Sequence, residues 1–390
     1  MALSSSSAYM EKGPILAPEL LILHLIATGA IRLYEHVTKG KPIDSDYPIP
    51  LQRGLDRLNV LRYRRGLPLI RSVPDLLEWC RRPFKQWELG LDKAFLDPED
   101  TLLAGAFPTS LCESLACVSS GVEADLTEQR FMSSIFDACQ AAKAPQAYVD
   151  FRRLLIERPV LTELELLEVR NQYPTLDLLT EHLNAAYEEA PLDYLVDGYF
   201  SCCPSCGNLR QPTVTQERFS CEDERCRRIV QSRRVAQNER RLAAREHVFW
   251  LKRGLRRFIT MPGRAELRLE KRLLARGLQV EMWPEFDRYD LRVVTPDGKT
   301  AWLVDVKDWA NPFLLGGHVK GISSSLPWQR AYYVFPKERQ REQPDYVTTF
   351  VNTCNSDRGH VSIGSRVRAA FEEQFLRDVA KHLQGGKDAH

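Results

Sequence analysis

Apolar residues recur at helical spacing through most of the first half of the chain. PELLILHLIATGAIRLYEHV, PLQRGLDRLNVLRYRRG and PDLLEWCRRPFKQWEL each carry an apolar stripe, and stretches holding Pro, Gly and Asp separate them. Such alternation predicts successive helices. PQAYVDFRRLLIER and PTLDLLTEHLNAAYEEA repeat the pattern and predict two more amphipathic helices. Thr162, followed by Glu163 and Glu165, reads as a helix start with a hydroxyl cap and early acids. Residues 1–190 thus read as a helical domain without a repeat or a catalytic motif. Cys80, Cys112, Cys117 and Cys139 show no paired spacing there and read as small buried residues.

The period changes to two near the C-terminal end. YDLRVVT and TAWLVDVKD are rich in β-branched and aromatic residues, and Pro296-Asp297-Gly298 between them is turn chemistry, so the pair predicts a β-hairpin. On its second strand Leu303, Asp305 and Lys307 share one face, with Val304 and Val306 on the other. Asp290 lies on the first strand between Tyr289 and Leu291. Two carboxylates and a lysine therefore project from strands that are otherwise apolar. Strands that only filled a core would not carry them, because buried charges are costly unless paired or bound to metal. Around the hairpin, residues 262–390 read as a core of order α-β-β-β-α-β. A helix over 264–276 leads into strand LQVEMW and the hairpin. A loop and helix through PFLLGGHVKGISSSL, strand QRAYYVFP and a final helix RVRAAFEEQFLRDVAKHL follow.

Composition changes the picture between these halves. In YFSCCPSCGNLRQPTVTQERFSCEDERCRR, Cys203, Cys206, Cys221 and Cys226 have the spacing of a four-cysteine zinc ribbon over 191–232, with Gly207 permitting the tight turn. A closed four-thiolate site is structural, so the zinc would stabilise a module and perform no chemistry. Cys202 adjoins Cys203 and could only replace it. Residues 233–261 then read as a basic helical linker. From Arg227 to Arg257 eleven basic residues face only Glu239 and Glu246, which leaves the rest of the chain net acidic. A local excess of that size points to a polyanion partner. Arg233, Arg234, Arg240, Arg241, Arg253, Arg256 and Arg257 are the expected phosphate contacts. MALSSSSAYMEKG lacks the features of a signal peptide, and the apolar stretch 20–31 is too short to span a bilayer. With cysteines at metal spacing, the expectation is a reducing, cytoplasmic compartment and no membrane partner.

Asp290 with Asp305-Val306-Lys307 resembles the PD-(D/E)XK, restriction-endonuclease-like nuclease superfamily. The resemblance implies an α+β multidomain protein whose C-terminal part is a mixed sheet flanked by helices. It implies a metal-dependent endonuclease with Glu266, in RAELRLEKRLLARG, as the helical carboxylate, and Glu270 one turn later as its substitute. Asp290, Asp305 and Glu266 would hold Mg²⁺ or Mn²⁺. Lys307 would orient or deprotonate the attacking water, leaving a 5′-phosphate. Asp305 stands where many members have Glu; the shorter carboxylate still ligates metal. With a zinc module in front, DRYDLRV and WLVDVKDWANP are also similar to the restriction-endonuclease-related proteins encoded beside prokaryotic PIWI-type proteins and a helicase. That resemblance implies a defence role against foreign DNA, with DNA or an RNA–DNA hybrid as substrate and a PIWI-type protein and helicase as partners. Two other readings stay open: an inactive nucleic-acid-binding subunit, and a zinc-ribbon scaffold.

Overall fold

The computed structural model describes residues 18–38, 47–89, 96–119, 125–213, 219–227, 239–357 and 359–385. Its first helix, Pro18–Thr38, runs well beyond the apolar stretch visible in the sequence. Over Glu19–Thr38 it has the length and apolarity to cross a membrane, but most of that window is buried against neighbouring helices. Glycine allows this packing. A Cβ on Gly29 would stand 2.4 Å from the Leu51 Cβ, and one on Gly54 2.6 Å from Ile26 Cγ1, so Pro18–Thr38 and Ile49–Arg64 cross almost backbone to backbone. Leu23, Ile26, Leu51 and Leu58 fill the seam, and the helices Val73–Cys80 and Ser110–Ser119 close the bundle. Trp309, Phe313 and Leu314, from the C-terminal region, pack into the same core.

The next helices serve a different core. Phe151, Leu154 and Leu155 of the Pro145–Glu157 helix are buried with Leu269, Leu273, Trp283 and Val304 of the C-terminal region. Thr162 caps the Glu163–Gln172 helix as its residues predicted. Its hydroxyl accepts the Glu165 amide at 3.2 Å, while the Glu165 carboxylate accepts the Thr162 amide at 2.8 Å. The predicted basic helix over 233–261 is corrected. Arg233 and Arg234 lie outside the described residues. Arg241–Ala243 and Val248–Leu251 are strands joined by a single 3₁₀ turn, Ala244–Glu246, and longer helical structure begins at Arg253. Val248–Leu251 is the centre of a three-stranded antiparallel sheet with Val160–Thr162 and Tyr187–Glu189. V-F-W-L is β-branched and aromatic, and with Val248, Trp250 and Leu251 buried that strand preference outweighs the basic residues around it.

The C-terminal sheet has five strands in sequence order: Gln279–Met282, Leu291–Val294, Ala301–Val306, Arg330–Phe335 and Val367–Phe371. The first three form an antiparallel meander, with Val293 opposite Trp302, and the last two join in parallel. The predicted final helix therefore needs correcting at its start: Val367–Phe371 is an edge strand, and the helix begins at Glu372. A helix at Tyr346–Cys354 was not anticipated. Helices Met261–Leu274, Glu372–Gly385 and Pro145–Glu157 cover one face, where Val304 and Val306 point. Leu303, Tyr333 and Phe335 fill the other with Tyr346 and Phe350. Asp305 and Lys307 emerge at the C-terminal end of the sheet's central strand, beside the antiparallel-to-parallel switch.

Candidate active site and metal centre

Cys203, Cys206, Cys221 and Cys226 are buried, and their sulfurs all lie within 4.8 Å of one another. Among the described residues they are the one group of three or more ligand-type side chains gathered so closely. The turn at Gly207 takes φ +76°, and the antiparallel pair Arg210–Pro212 and Phe219–Cys221 brings the second half of the set across. Hydrogen bonds among the crowded sulfurs draw the Cys203 thiol down and push Cys221 and Cys226 up. Four buried thiols in this arrangement suit a metal such as zinc. Cys202 points elsewhere, into an apolar cluster with Phe200, Leu209 and Trp250, and burial pushes its thiol up to about 12.

The carboxylates meet at a cleft of about 610 Å³, walled by Arg152, Glu266, Asp290, Asp305 and Lys307. Asp290 directly precedes the Leu291–Val294 strand, and its Oδ2 accepts the Val306 amide at 2.6 Å. Lys307 Nζ donates to Asp305 Oδ1 at 2.5 Å. Burial pushes the Asp305 carboxyl up to about 7; Lys307 opposes the shift and Asp290 adds to it. Burial also disfavours charge on Lys307, but Asp305 and Asp290 outweigh it and raise the ammonium above its usual range.

Glu266 reaches the same wall but is already occupied. Arg152 Nη2 donates to both its oxygens at 3.2 and 3.1 Å, and Trp283 Nε1 donates to Oε2 at 2.5 Å. Burial pushes its carboxyl up to about 7, with Arg152 opposing and Asp290 adding. Glu270 is turned away from the cleft and takes both donors of Arg153 at 3.0 and 2.6 Å. Glu266, Asp290 and Asp305 share one cleft, with Asp290 and Asp305 in side-chain hydrogen-bond contact, but the three do not all lie within 4.8 Å of one another.

Arg152, Trp283 and Asp287 belong to this site and escaped sequence reading. Arg152 Nη1 pairs with Asp287, Nη2 lies 3.7 Å from Asp290, and the guanidinium stacks 4.9 Å from the Trp283 ring centre. Trp283, Glu285, Phe286 and Asp287 all have left-handed φ, between 47° and 64°. Non-glycine residues rarely adopt that region and are held there by their surroundings. Here the Trp283 amide donates to the Asp290 carbonyl at 2.8 Å, and the side chains of Trp283 and Asp287 clasp Arg152. Adjacency to Asp290 was the only sequence signal for Trp283 and Asp287. Arg152, 114 residues before Glu266, had none.

The described members of the arginine set expected to face phosphate are largely committed to carboxylates. Arg253 is buried and donates to Glu222 at 2.5 Å and Glu35 at 2.9 Å, and it also pairs with Glu113. Arg256 is buried too, 3.1 Å from Glu222 and stacked on Trp250. Burial would raise the Glu222 carboxyl, but Arg253 and Arg256 prevail and hold it at about 2. Arg240 pairs with Glu165, Arg257 lies 3.6 Å from Glu113, and Arg241, 3.3 Å from Glu239, remains half exposed.

Comparison with known families gives two matches. Residues 263–387 match the family described as REase associating with pPIWI_RE, so the C-terminal region is restriction-endonuclease-like. Residues 22–162 match the family described as pPIWI_RE three-gene island domain Y. Both matched segments thus come from the pPIWI-RE defence-island group, as the resemblance in WLVDVKDWANP implied. Neither spans half of the chain, and residues 163–262, which hold the four cysteines, lie in neither. No curated protein and no solved structure matches the chain.

Proposed function

We propose that this chain is the nuclease subunit of a prokaryotic defence system, hydrolysing phosphodiester bonds of DNA with Mg²⁺ or Mn²⁺. The family matches support the coarser statement, a defence-related nuclease-like role. The observation that carries the finer one is the meeting of Asp290, Asp305 and Lys307 on one wall of an open cleft. Asp290 and Asp305 offer hard oxygen donors, which suit a cation that keeps several of its waters. Such an ion lowers the pKa of bound water and polarises the scissile phosphate. Lys307 holds its ammonium beside Asp305, where it can orient a nucleophilic water or neutralise charge developing on phosphate. Glu266, bound by Arg152 and Trp283, fixes the wall through them and is left out of the coordination set. Among the arginines, Arg257 at the cleft and Arg241 on the surface are retained as phosphate contacts. A PIWI-type protein and a helicase are the proposed partners.

The test is cleavage of labelled duplex, single-stranded and RNA–DNA hybrid substrates with Mg²⁺ or Mn²⁺, against a chelator control. Asp305→Ala should abolish cleavage and leave nucleic-acid binding intact. Lys307→Ala should slow it by about 10²–10⁴-fold, the range of a lost proton-transfer group. A specific observation keeps a second reading alive: Lys307 and Arg152 already neutralise these carboxylates from within. A non-cleaving subunit would look the same. Binding without metal-dependent cleavage of any of the three substrates would select that reading.

A further inference from the structure

Ser205, Asp223, Arg225 and Cys226 of the cysteine module line the carboxylate cleft, and Arg225 ties the module to the segment that follows Lys307. Arg225 stands directly before Cys226, in the short helical turn between the last two clustered cysteines. It donates to both oxygens of Asp308, Nη1 to Oδ2 at 2.7 Å and Nη2 to Oδ1 at 2.5 Å. Asp308 is the next residue after Lys307. Arg339 grips it from behind, through the carboxylate at 3.0 Å and the Asp308 carbonyl at 3.1 Å. A forked pair of this kind fixes orientation as well as distance.

Both ends of the link are anchored. On the cysteine side, Asp223 Oδ1 accepts the Cys226 amide at 2.8 Å, and Arg227 donates to the carbonyls of Cys221 and Glu222, each at 2.8 Å. On the other side the Lys307 amide donates to the Val334 carbonyl at 3.0 Å as the chain leaves the sheet, and Tyr346 donates to the Trp309 carbonyl at 2.8 Å. Of these groups holding residues 307–309, Arg225 alone comes from the cysteine module.

We propose that Arg225 is a positioning residue for Lys307: the cysteine module, folded around its metal, clamps Asp308 and so keeps the Lys307 ammonium in the cleft beside Asp305. This rests on the nuclease reading above. The metal would then act on catalysis through geometry, although it takes no part in the chemistry.

The experiment compares full-length wild type with Arg225→Ala and Arg225→Lys in four measurements: bound zinc, nucleic-acid affinity, kcat with KM, and amide hydrogen exchange over 305–309. Arg225→Ala should keep its zinc and its affinity. Its kcat should fall at least about tenfold with KM little changed, as for a displaced reacting group. Exchange at Lys307 and Asp308 should quicken, and added guanidinium should restore part of the rate. Arg225→Lys, a single point of attachment, should be intermediate. Removing zinc from wild type should quicken the same exchange, and should add little in Arg225→Ala. Wild-type kcat and exchange in Arg225→Ala would overturn the proposal, as would zinc removal that leaves 305–309 protected. If Arg225→Ala does not fold, wild-type rate and exchange in Arg225→Lys overturn it instead. A wild-type protein that cuts nothing sinks the nuclease reading, while the exchange measurements still report whether Arg225 pins the segment.

Discussion

The guanidinium of Arg152 stands among Glu266, Asp287 and Asp290, with the Trp283 ring against it. Arg152 and Glu266 are both almost fully buried, so neither charge has water to fall back on. Breaking a buried pair from one side leaves the partner charged and unsolvated, at a cost of about 3–5 kcal/mol. Arg152→Ala should lose stability of that order in urea unfolding, and Arg152→Lys should lose less. A loss below about 1 kcal/mol, the scale of a solvated surface pair, would mean that water reaches these carboxylates. The double change Arg152→Met with Glu266→Leu should recover only the part of the loss due to Glu266, because Asp287 and Asp290 keep their charge without the guanidinium.

At the scale of elements, the cysteine loop separates local from remote information. Cys206→Ser removes one of four sulfur donors, and purified protein should drop from about one bound zinc to almost none. Wild-type zinc content in that variant would exclude Cys206 as a ligand. The gathering of the four cysteines could be read in advance because they lie within two short stretches whose spacing carries the geometry. The hairpin was legible for a similar reason: alternation placed Leu303 and Val304 on opposite faces, and they do fill different cores. The burial of Arg253 and Arg256 could not be read from the sequence because charge has no period. Whether an arginine faces solvent or a carboxylate depends on where acids arrive in space. Of the three that hold Arg253, Glu222 lies 31 residues earlier, but Glu35 and Glu113 lie 218 and 140 residues earlier. Val367–Phe371 was absorbed into a helix because VRAAF has no alternation, its strand state being fixed by pairing with Arg330–Phe335.

Across the whole molecule, the boundaries of the family matches do not coincide with the cores. The face of the sheet that holds Val304 and Val306 is sealed partly by Phe151, Leu154 and Leu155, which lie in the other matched segment. Each large apolar side chain stripped of its cover forfeits about 1.5–3 kcal/mol. Residues 262–390 expressed alone should therefore be poorly soluble or expanded by circular dichroism and scattering. Addition of residues 125–261 should restore a cooperative melt. A compact, cooperatively melting 262–390 fragment would show that this cover is dispensable.

Arg152 lies in one matched segment and Glu266, Asp287 and Asp290 lie in the other. That placement bears on descent. An exchange between related genes at any point from 163 to 262 would part the arginine from its acids and hand each to a stranger. Hybrids should be viable only where both parents carry a compatible set at 152, 266, 287 and 290. Across relatives those positions should change in concert or not at all, as a lock and its key are replaced together.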